Sequence, residues 1–147
     1  ARKSQRAAAR SIAADLFIGR INEEMALTAV QFAEHIPAKA VLSFTRTGAT
    51  ARRLSRYRPA VPVVAICNND ATARSLLIHY GVHPVVQHGY DGRGDFDKLI
   101  EICRPTLHRH FHVARGDAVV VTGGLDWPRG GTNVLRVMIE EVADDDL

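Results

Sequence analysis

Residues 40–50 read AVLSFTRTGAT, and this stretch decides the fold. It begins with a short apolar run that has the length and composition of a buried β-strand. A turn that contains threonines and a glycine follows at once, and a helical pattern then continues through Leu54 to Tyr57. A strand that passes directly into a helix is typical of α/β sheets, in which parallel strands alternate with helices.

The same alternation continues along the rest of the chain. Further apolar runs predict strands at residues 61–67, 82–86, 118–122 and 133–139. Between them, helices are predicted at residues 69–80, behind asparagine N-caps, and at residues 97–110, where Pro105 is expected to bend or interrupt the helix. We therefore predict a three-layer α/β/α fold with a mainly parallel, five-stranded sheet that helices cover on both faces.

The region before the first strand is predicted to be helical over residues 4–36, with a break at Gly19 and a second helix that Asn22 caps. No linker or change of composition divides the chain, so we predict a single domain over residues 1–147. Its parts are a helical lead-in, a core and a solvated acidic tail, at residues 1–21, 22–140 and 141–147.

The charge of the chain limits the classes of partner. Its 19 Lys and Arg against 16 Asp and Glu give a net charge of +3, which is too small to indicate nucleic-acid binding. Most of the basic residues are arginines, whose planar guanidinium suits phosphate oxygens better than the ammonium group of lysine. The alternative is an Arg-rich but otherwise ordinary solvated surface.

The chain carries no sign of a membrane or secretory protein. No apolar run approaches the ~18 residues of a membrane helix, and the basic, polar N-terminus lacks the apolar segment of a signal peptide. Cys67 and Cys103 are isolated, which predicts free thiols and a cytoplasmic location. Because the sequence begins with Ala, we expect it to be cut from a longer polypeptide.

The turn after the first strand is the strongest candidate site. Open α/β sheets bind ligands at the carboxyl ends of their strands, where a new helix presents free N–H groups to anions. The predicted phosphate contacts are Thr45, Arg46, Thr47, Gly48, Ala49 and Thr50. The alternative is a turn in which the threonines only satisfy backbone groups. The spacing matches neither a P-loop nor a dinucleotide-binding fingerprint.

A second Gly-rich segment, GGLDWPRGGTN at residues 123–133, also follows a strand. Its residue types would allow Trp127 to stack on a ligand or clamp a neighbouring chain, and Arg129 to reach an anion. The alternative is a mobile loop with Trp127 folded onto the surface. The two alternatives remain open from the sequence.

The remaining polar clusters do not predict catalysis. His108, His110 and His112 alternate as in an extended metal site, but they fall at a predicted helix end, where alternate residues do not share a face. We therefore predict no metal site there. Residues 115–117 (RGD) are interpreted as a turn before a strand, and no set of catalytic residues can be assembled.

Several stretches, in the same order, resemble the C-terminal domain of pyruvate kinases. These are AKAVLSFTRTGATAR at 38–52, SRYRP at 55–59, PVVAI at 62–66, YGVHPV at 80–85, RGD with the following valines at 115–121, and GGTN at 130–133. Each motif alone is weak, but the order and spacing are specific, and the likeness covers residues 22–139. The resemblance implies the fold of that domain, with an antiparallel last strand.

The resemblance also implies roles for individual residues. In that family the loop after the first strand grips an effector phosphate, which here involves residues 45–50. The late Gly-rich loop closes over the effector, and its candidates are Trp127, Pro128, Arg129, Gly130 and Gly131. Members that bind a bisphosphate carry a Trp and an Arg in the region of residues 89–99, which has no Trp here. Arg93 and Lys98 are candidate second anion contacts, and a monophosphate effector fits as well.

The resemblance implies a regulatory domain of an enzyme that converts phosphoenolpyruvate and ADP to pyruvate and ATP. The domain itself would be non-catalytic and without cofactor, since Mg and K belong to the catalytic domain. The implied partners are a sugar phosphate, sugar bisphosphate or nucleoside monophosphate, the rest of the chain, and other subunits of a tetramer. The alternative is a free-standing sugar-phosphate binder or small phosphate-handling enzyme of the same fold.

Overall fold

The structure is a computed structural model that describes residues 2–89, 96–123 and 134–140. Its elements, in chain order, are α1 (Arg2–His35), β1 (Ala40–Phe44), α2 (Ala49–Arg56), β2 (Val63–Cys67), α3 (Asp70–Leu76), β3 (Val82–Val86), α4 (Phe96–Phe111), β4 (Ala118–Gly123) and β5 (Val134–Ile139). Strands β1 and β3 have the predicted bounds, and the other strands begin or end within two residues of them.

The strands form one sheet in the order β3-β2-β1-β4-β5. β1 pairs in parallel with both β2 and β4, β2 pairs in parallel with β3, and β5 runs antiparallel to β4. In register, Leu42 of β1 lies between Val64 of β2 and Val121 of β4. The mainly parallel five-stranded sheet with an antiparallel last strand is therefore confirmed.

Alternate residues of the strands belong to two cores, one on each face of the sheet. The first core contains Leu42, Ile66 and Val121, and α4 covers it through Leu107. Helices α1, α2 and α3 cover the opposite face with buried side chains that include Ala29, Leu54 and Leu76. This arrangement confirms the three-layer α/β/α prediction and places α2 and α3 side by side on one face.

Helix α1 is continuous over 34 residues, so the predicted break at Gly19 and the predicted N-cap at Asn22 are wrong. A glycine inside a helix costs only about 1 kcal/mol relative to alanine, which the hydrogen bonds and packing of a long helix outweigh. Asn22 lies inside the helix and is only 5% exposed, whereas residues 2–17 are exposed. None of the helices in the described part of the chain is both long and apolar enough to span a membrane.

Two other helices differ from prediction. α3 ends at Leu76 instead of reaching Tyr80, and a turn over residues 77–81 leads into β3, with Gly81 at a φ of +68°. α4 continues without interruption through Pro105. Because proline has no N–H, the carbonyl of Glu101 has no helical hydrogen-bond donor at position 105. Glu101 and Pro105 are both exposed, so solvent can hydrate that carbonyl.

Candidate anion-binding site

The turn formed by residues 45–48 lies at the middle of the carboxyl edge of the sheet. It joins β1, the central strand, to α2. The chain continues from β1 to β2 on one side, whereas β4 pairs with β1 on the other side. The strand order therefore changes direction at the end of β1, and open α/β sheets bind ligands at such a point.

Hydrogen bonds within the turn determine its shape. The Thr45 hydroxyl oxygen accepts a hydrogen bond from the N–H of Gly48 at 2.8 Å, and the N–H of Thr45 donates to the carbonyl of Ile66 at 2.9 Å. The Thr47 hydroxyl oxygen accepts a longer bond of 3.4 Å from the N–H of Ala49. The threonines thus cap the turn, and they leave the first turn of α2 facing the carboxyl edge, where helix N–H groups attract anions.

Gly48 is the residue on which this shape depends most. Its φ of +88° lies in the left-handed region, which side chains other than glycine rarely adopt. A Cβ atom at this position would lie 2.8 Å from Arg52 Nη1 and 3.0 Å from Leu76 Cδ2. The turn therefore packs directly against α2 and α3 and has no room for a larger residue.

Two guanidinium groups flank the turn. Arg46 is exposed, and Arg52 donates from Nη1 to the carbonyl of Thr47 at 3.1 Å. Neither arginine pairs with a carboxylate among the residues that the structure describes, whereas Glu23 pairs with Arg53 and Arg56 further along α2. The turn therefore carries uncompensated positive charge. Sequence analysis did not assign Arg52 to the site, although its spacing of four residues from Gly48 places both on one helix face.

Helix α3 supports the turn from the side. The side-chain oxygen of Asn69 accepts a hydrogen bond from the N–H of Thr72 at 2.8 Å, which confirms the predicted asparagine N-cap. The Thr72 hydroxyl in turn donates to the carbonyl of Arg46 at 3.3 Å. The Asn69 cap thus fixes the position of Thr72, and Thr72 contacts the turn formed by residues 45–48.

Replacing Asn69 by alanine is expected to lower the free energy of unfolding by about 1 kcal/mol, because the first turn of α3 loses its cap. Urea denaturation measures the change. Asn68→Ala is the matched control, since Asn68 bonds to the side-chain amide of Asn69 and does not cap the helix. Equal losses in the two variants would contradict the assignment of Asn69 as the cap.

Two buried hydroxyl groups lie next to the point where the strand order changes. Ser43 of β1 and Thr122 of β4 are register partners, and both are completely buried. Neither hydroxyl oxygen has a hydrogen-bond partner among the described residues. A buried polar group left without a partner costs about 1–3 kcal/mol, so these two hydroxyls lower the stability of the sheet at this point. Sequence analysis missed both residues, although each interrupts an apolar strand.

The other predicted anion contacts are not brought to this turn. Arg93 and the closing-loop candidates lie outside the described residues; the latter are Trp127, Pro128, Arg129, Gly130 and Gly131. Lys98 lies in the first turn of α4, over the opposite face of the sheet from α2, and is exposed. No hydrogen bond or ion pair in the described part of the chain joins Lys98 to the turn.

His108 and the two cysteines have defined surroundings in the structure. His108 lies on α4 with Nε2 at 3.4 Å from Glu140 Oε1, and no group of three potential ligands in the described ranges could hold a metal ion. Burial raises the pKa of the Cys67 thiol, and it raises the pKa of the Cys103 thiol to about 11. Both cysteines are therefore protonated at neutral pH and poor nucleophiles.

Comparison with known proteins places this geometry in a family. The family model described as pyruvate kinase, alpha/beta domain, matches residues 23–138. The chain is 35% identical over 110 residues to a pyruvate kinase of Clostridium acetobutylicum, covering 74% of this chain and 23% of that protein. It is 34% identical over 119 residues to a pyruvate kinase of Dictyostelium discoideum, covering 80% of this chain and 23% of that protein.

A solved structure is similar over the same region. The crystal structure of a pyruvate kinase from Cryptosporidium parvum superposes with a TM-score of 0.72 at 25% sequence identity. The superposition covers 81% of this chain and 22% of that chain. The chain thus spans less than a quarter of the length of these relatives.

Proposed function

Because the chain belongs to the family of pyruvate kinase alpha/beta domains, we propose that it is the regulatory domain of a longer pyruvate kinase chain and binds a phosphorylated effector. One observation carries the proposal. The turn at the end of the central strand combines a left-handed Gly48 with the guanidinium groups of Arg46 and Arg52, which have no acidic partner in the described part of the chain.

The groups of the turn suit a phosphate dianion. The N–H groups that begin α2 would donate to phosphate oxygens along the helix axis, where the helix dipole also favours negative charge. The exposed Thr47 hydroxyl would exchange its long bond to the N–H of Ala49 for one to the ligand. Arg46 would add a charge-assisted bond of the strong kind. The effector class is a sugar phosphate, sugar bisphosphate or nucleoside monophosphate.

The late Gly-rich loop is proposed to complete the site. In this proposal Trp127 stacks on the effector and Arg129 contacts its anionic group, while Gly130 and Gly131 let the backbone close over it. Arg93 and Lys98 remain candidates for contacts to a second phosphate.

In the whole protein, we propose that catalysis of phosphoryl transfer between phosphoenolpyruvate and ADP lies in the rest of the chain. Effector binding would change this catalytic activity by favouring one quaternary state of the oligomer. That requires the effector to make different contacts in the two quaternary states. The edge strand β5 supports a role in subunit contact, because Val137 is 37% and Ile139 59% exposed on a strand that, among the described strands, pairs with β4 alone. The two free cysteines support a cytoplasmic location.

A thermal-shift titration tests effector binding. Fructose 1,6-bisphosphate, glucose 6-phosphate, ribose 5-phosphate, AMP and inorganic phosphate are each added to the 147-residue chain. A ligand at ~100 times its dissociation constant stabilises the fold by about 2.7 kcal/mol, which corresponds to a shift of roughly 5–10 °C at this size. We expect one phosphate ester to produce this shift.

Removing the predicted contacts should remove the shift. The double variant Arg46→Ala, Thr47→Ala is expected to lose most of the stabilisation by that ligand. The matched control Thr28→Ala, Arg109→Ala removes the same residue types from exposed positions on α1 and α4 and should respond like the unmodified chain. A full shift in the Arg46, Thr47 variant, or no shift with any phosphate ester, would overturn the proposed site.

A further inference from the structure

A cleft lies at the opposite end of α2 from the turn described above. It has a volume of about 360 Å³ and is lined by Arg52 and Arg56 of α2, by Arg58 just after α2, and by His79 and Tyr80 from the turn before β3. We call it the α2–β3 cleft. Because α2 runs from the carboxyl edge of the sheet back to the amino edge, most of this lining is at the amino edge.

The lining of the α2–β3 cleft is strongly positive. It contains three guanidinium groups, and no carboxylate among the described residues lines it. Glu23 lies 3.0 Å from Arg56 and compensates that charge in part. Arg52 and Arg58 make no ion pair within the described part of the chain. Among the described residues, the positive charges of Arg52 and Arg58 are therefore left without a carboxylate partner.

One arginine of the lining, Arg58, is held in place by its backbone and by Tyr80. Arg58 has a φ of +46°, a left-handed conformation that is uncommon for a residue with a side chain. Its guanidinium carbon lies 4.5 Å from the centre of the Tyr80 ring, so it stacks on that ring as a cation–π pair. The Ser55 hydroxyl donates to the Tyr80 carbonyl at 2.7 Å and fixes the turn that carries the ring. A stacked guanidinium keeps its in-plane N–H donors available for an anion.

The helix dipole does not account for these arginines. Cations near a helix C-terminus are favoured by a charge of roughly −0.5 there. Two of the last four carbonyls of α2 are already used, because Leu54 accepts from the N–H of Tyr57 and Ser55 accepts from the N–H of Arg58. The partial negative charge at the end of α2 is therefore already engaged in part by hydrogen bonds. It balances only a fraction of the positive charge of the guanidinium groups of Arg52 and Arg58.

We propose that the α2–β3 cleft is a second anion site that takes a small, doubly charged ligand of the phosphate-monoester class. Arg forks bind such groups through paired, charge-assisted hydrogen bonds, and the volume of the cleft is sufficient for a ligand of sugar-phosphate size. The site shares Arg52 with the turn formed by residues 45–48, whereas its other lining residues have no part in the proposed effector function.

One residue connects the α2–β3 cleft to the turn formed by residues 45–48. Arg52 lines the α2–β3 cleft and also donates to the carbonyl of Thr47 at 3.1 Å. An anion in the cleft competes with that carbonyl for the same guanidinium. Occupancy of the cleft therefore changes the support of the turn, and by linkage the two anion sites influence each other's affinity.

The test is a two-dimensional amide NMR titration of the 147-residue chain with inorganic phosphate at constant ionic strength. We expect saturable shifts of the amide signals of His79 and Gly81. The variant Arg58→Asn removes the charge, and asparagine tolerates a left-handed backbone, so the fold is retained. Its phosphate affinity at the cleft is expected to fall about tenfold or more, as for loss of one charge-assisted hydrogen bond.

The controls separate the cleft from the first turn and from general charge. Arg109→Gln removes one exposed arginine on the opposite face of the sheet and should leave the affinity unchanged. Arg56→Gln provides a second lining variant at a side chain that is 66% exposed. Because Arg52 links the two sites, signals of Gly48 and Ala49 report binding at the turn together with its coupling to the cleft, and the conclusion on the cleft rests on His79 and Gly81 alone. Shifts at His79 and Gly81 that never saturate, or that persist unchanged in Arg58→Asn, would overturn the proposal.

Discussion

Replacing Gly48 by alanine is expected to lower the free energy of unfolding by about 2–5 kcal/mol and to abolish phosphate binding at the turn. A left-handed residue with a Cβ costs roughly 1–2 kcal/mol, and overpacking costs about 1–3 kcal/mol more. The new Cβ would lie 3.0 Å from Leu76 Cδ2 and 2.8 Å from Arg52 Nη1. Leu76 is completely buried and cannot move easily, and displacing Arg52 breaks its bond to Thr47. Urea denaturation and a phosphate titration measure the two losses.

Variants of two other glycines allow the backbone cost and the packing cost of Gly48→Ala to be measured separately. Gly81 has a φ of +68° but no atom within 4 Å of its virtual Cβ, so Gly81→Ala measures the backbone cost alone, about 1–2 kcal/mol. Gly19 lies within α1 with open space around it, so Gly19→Ala should stabilise the chain by up to about 1 kcal/mol. If Gly48→Ala costs no more than Gly81→Ala, the close packing of the turn against α2 and α3 does not contribute.

Local patterns were sufficient to predict the sheet. β1 and β3 are short apolar runs bounded by turn residues, and such runs form strands both at the buried centre of the sheet, as β1 does, and at its partly exposed edge, as β3 does. The predicted helix break at Gly19, in contrast, was wrong. Helix ends depend on the sum of small propensities and tertiary packing, and a single glycine does not decide that sum.

The candidate site was only partly predictable. Residues 45–50 follow each other in sequence, so a strand, a turn and a helix start were enough to indicate an anion site there. The α2–β3 cleft depends on Tyr80 packing beneath Arg58, and these residues lie 22 positions apart in different elements. The unpaired hydroxyls of Ser43 and Thr122 also meet only through strand register, which a single sequence does not specify.

Replacing Leu54 by alanine is expected to have the largest effect on stability, about 2.7–5 kcal/mol, because it deletes a buried side chain and leaves a cavity. Leu54 is completely buried on the sheet-facing side of α2, in the core that also contains Leu76 and Val63. Urea denaturation measures the loss. The matched control is Leu77→Ala, at a side chain that is 67% exposed, which should change the free energy of unfolding by less than about 0.5 kcal/mol.

The same variant separates stability from binding. The turn is shaped by the bond from Gly48 to Thr45 and by Arg52, and none of these contacts involves Leu54. At temperatures where Leu54→Ala is still folded, phosphate should therefore stabilise it by the same increment as the unmodified chain, since that increment depends only on ligand concentration and dissociation constant. A smaller increment would mean that the apolar face of α2 also sets the geometry of the turn, because the cavity would then have shifted the helix start and its N–H groups away from the anion.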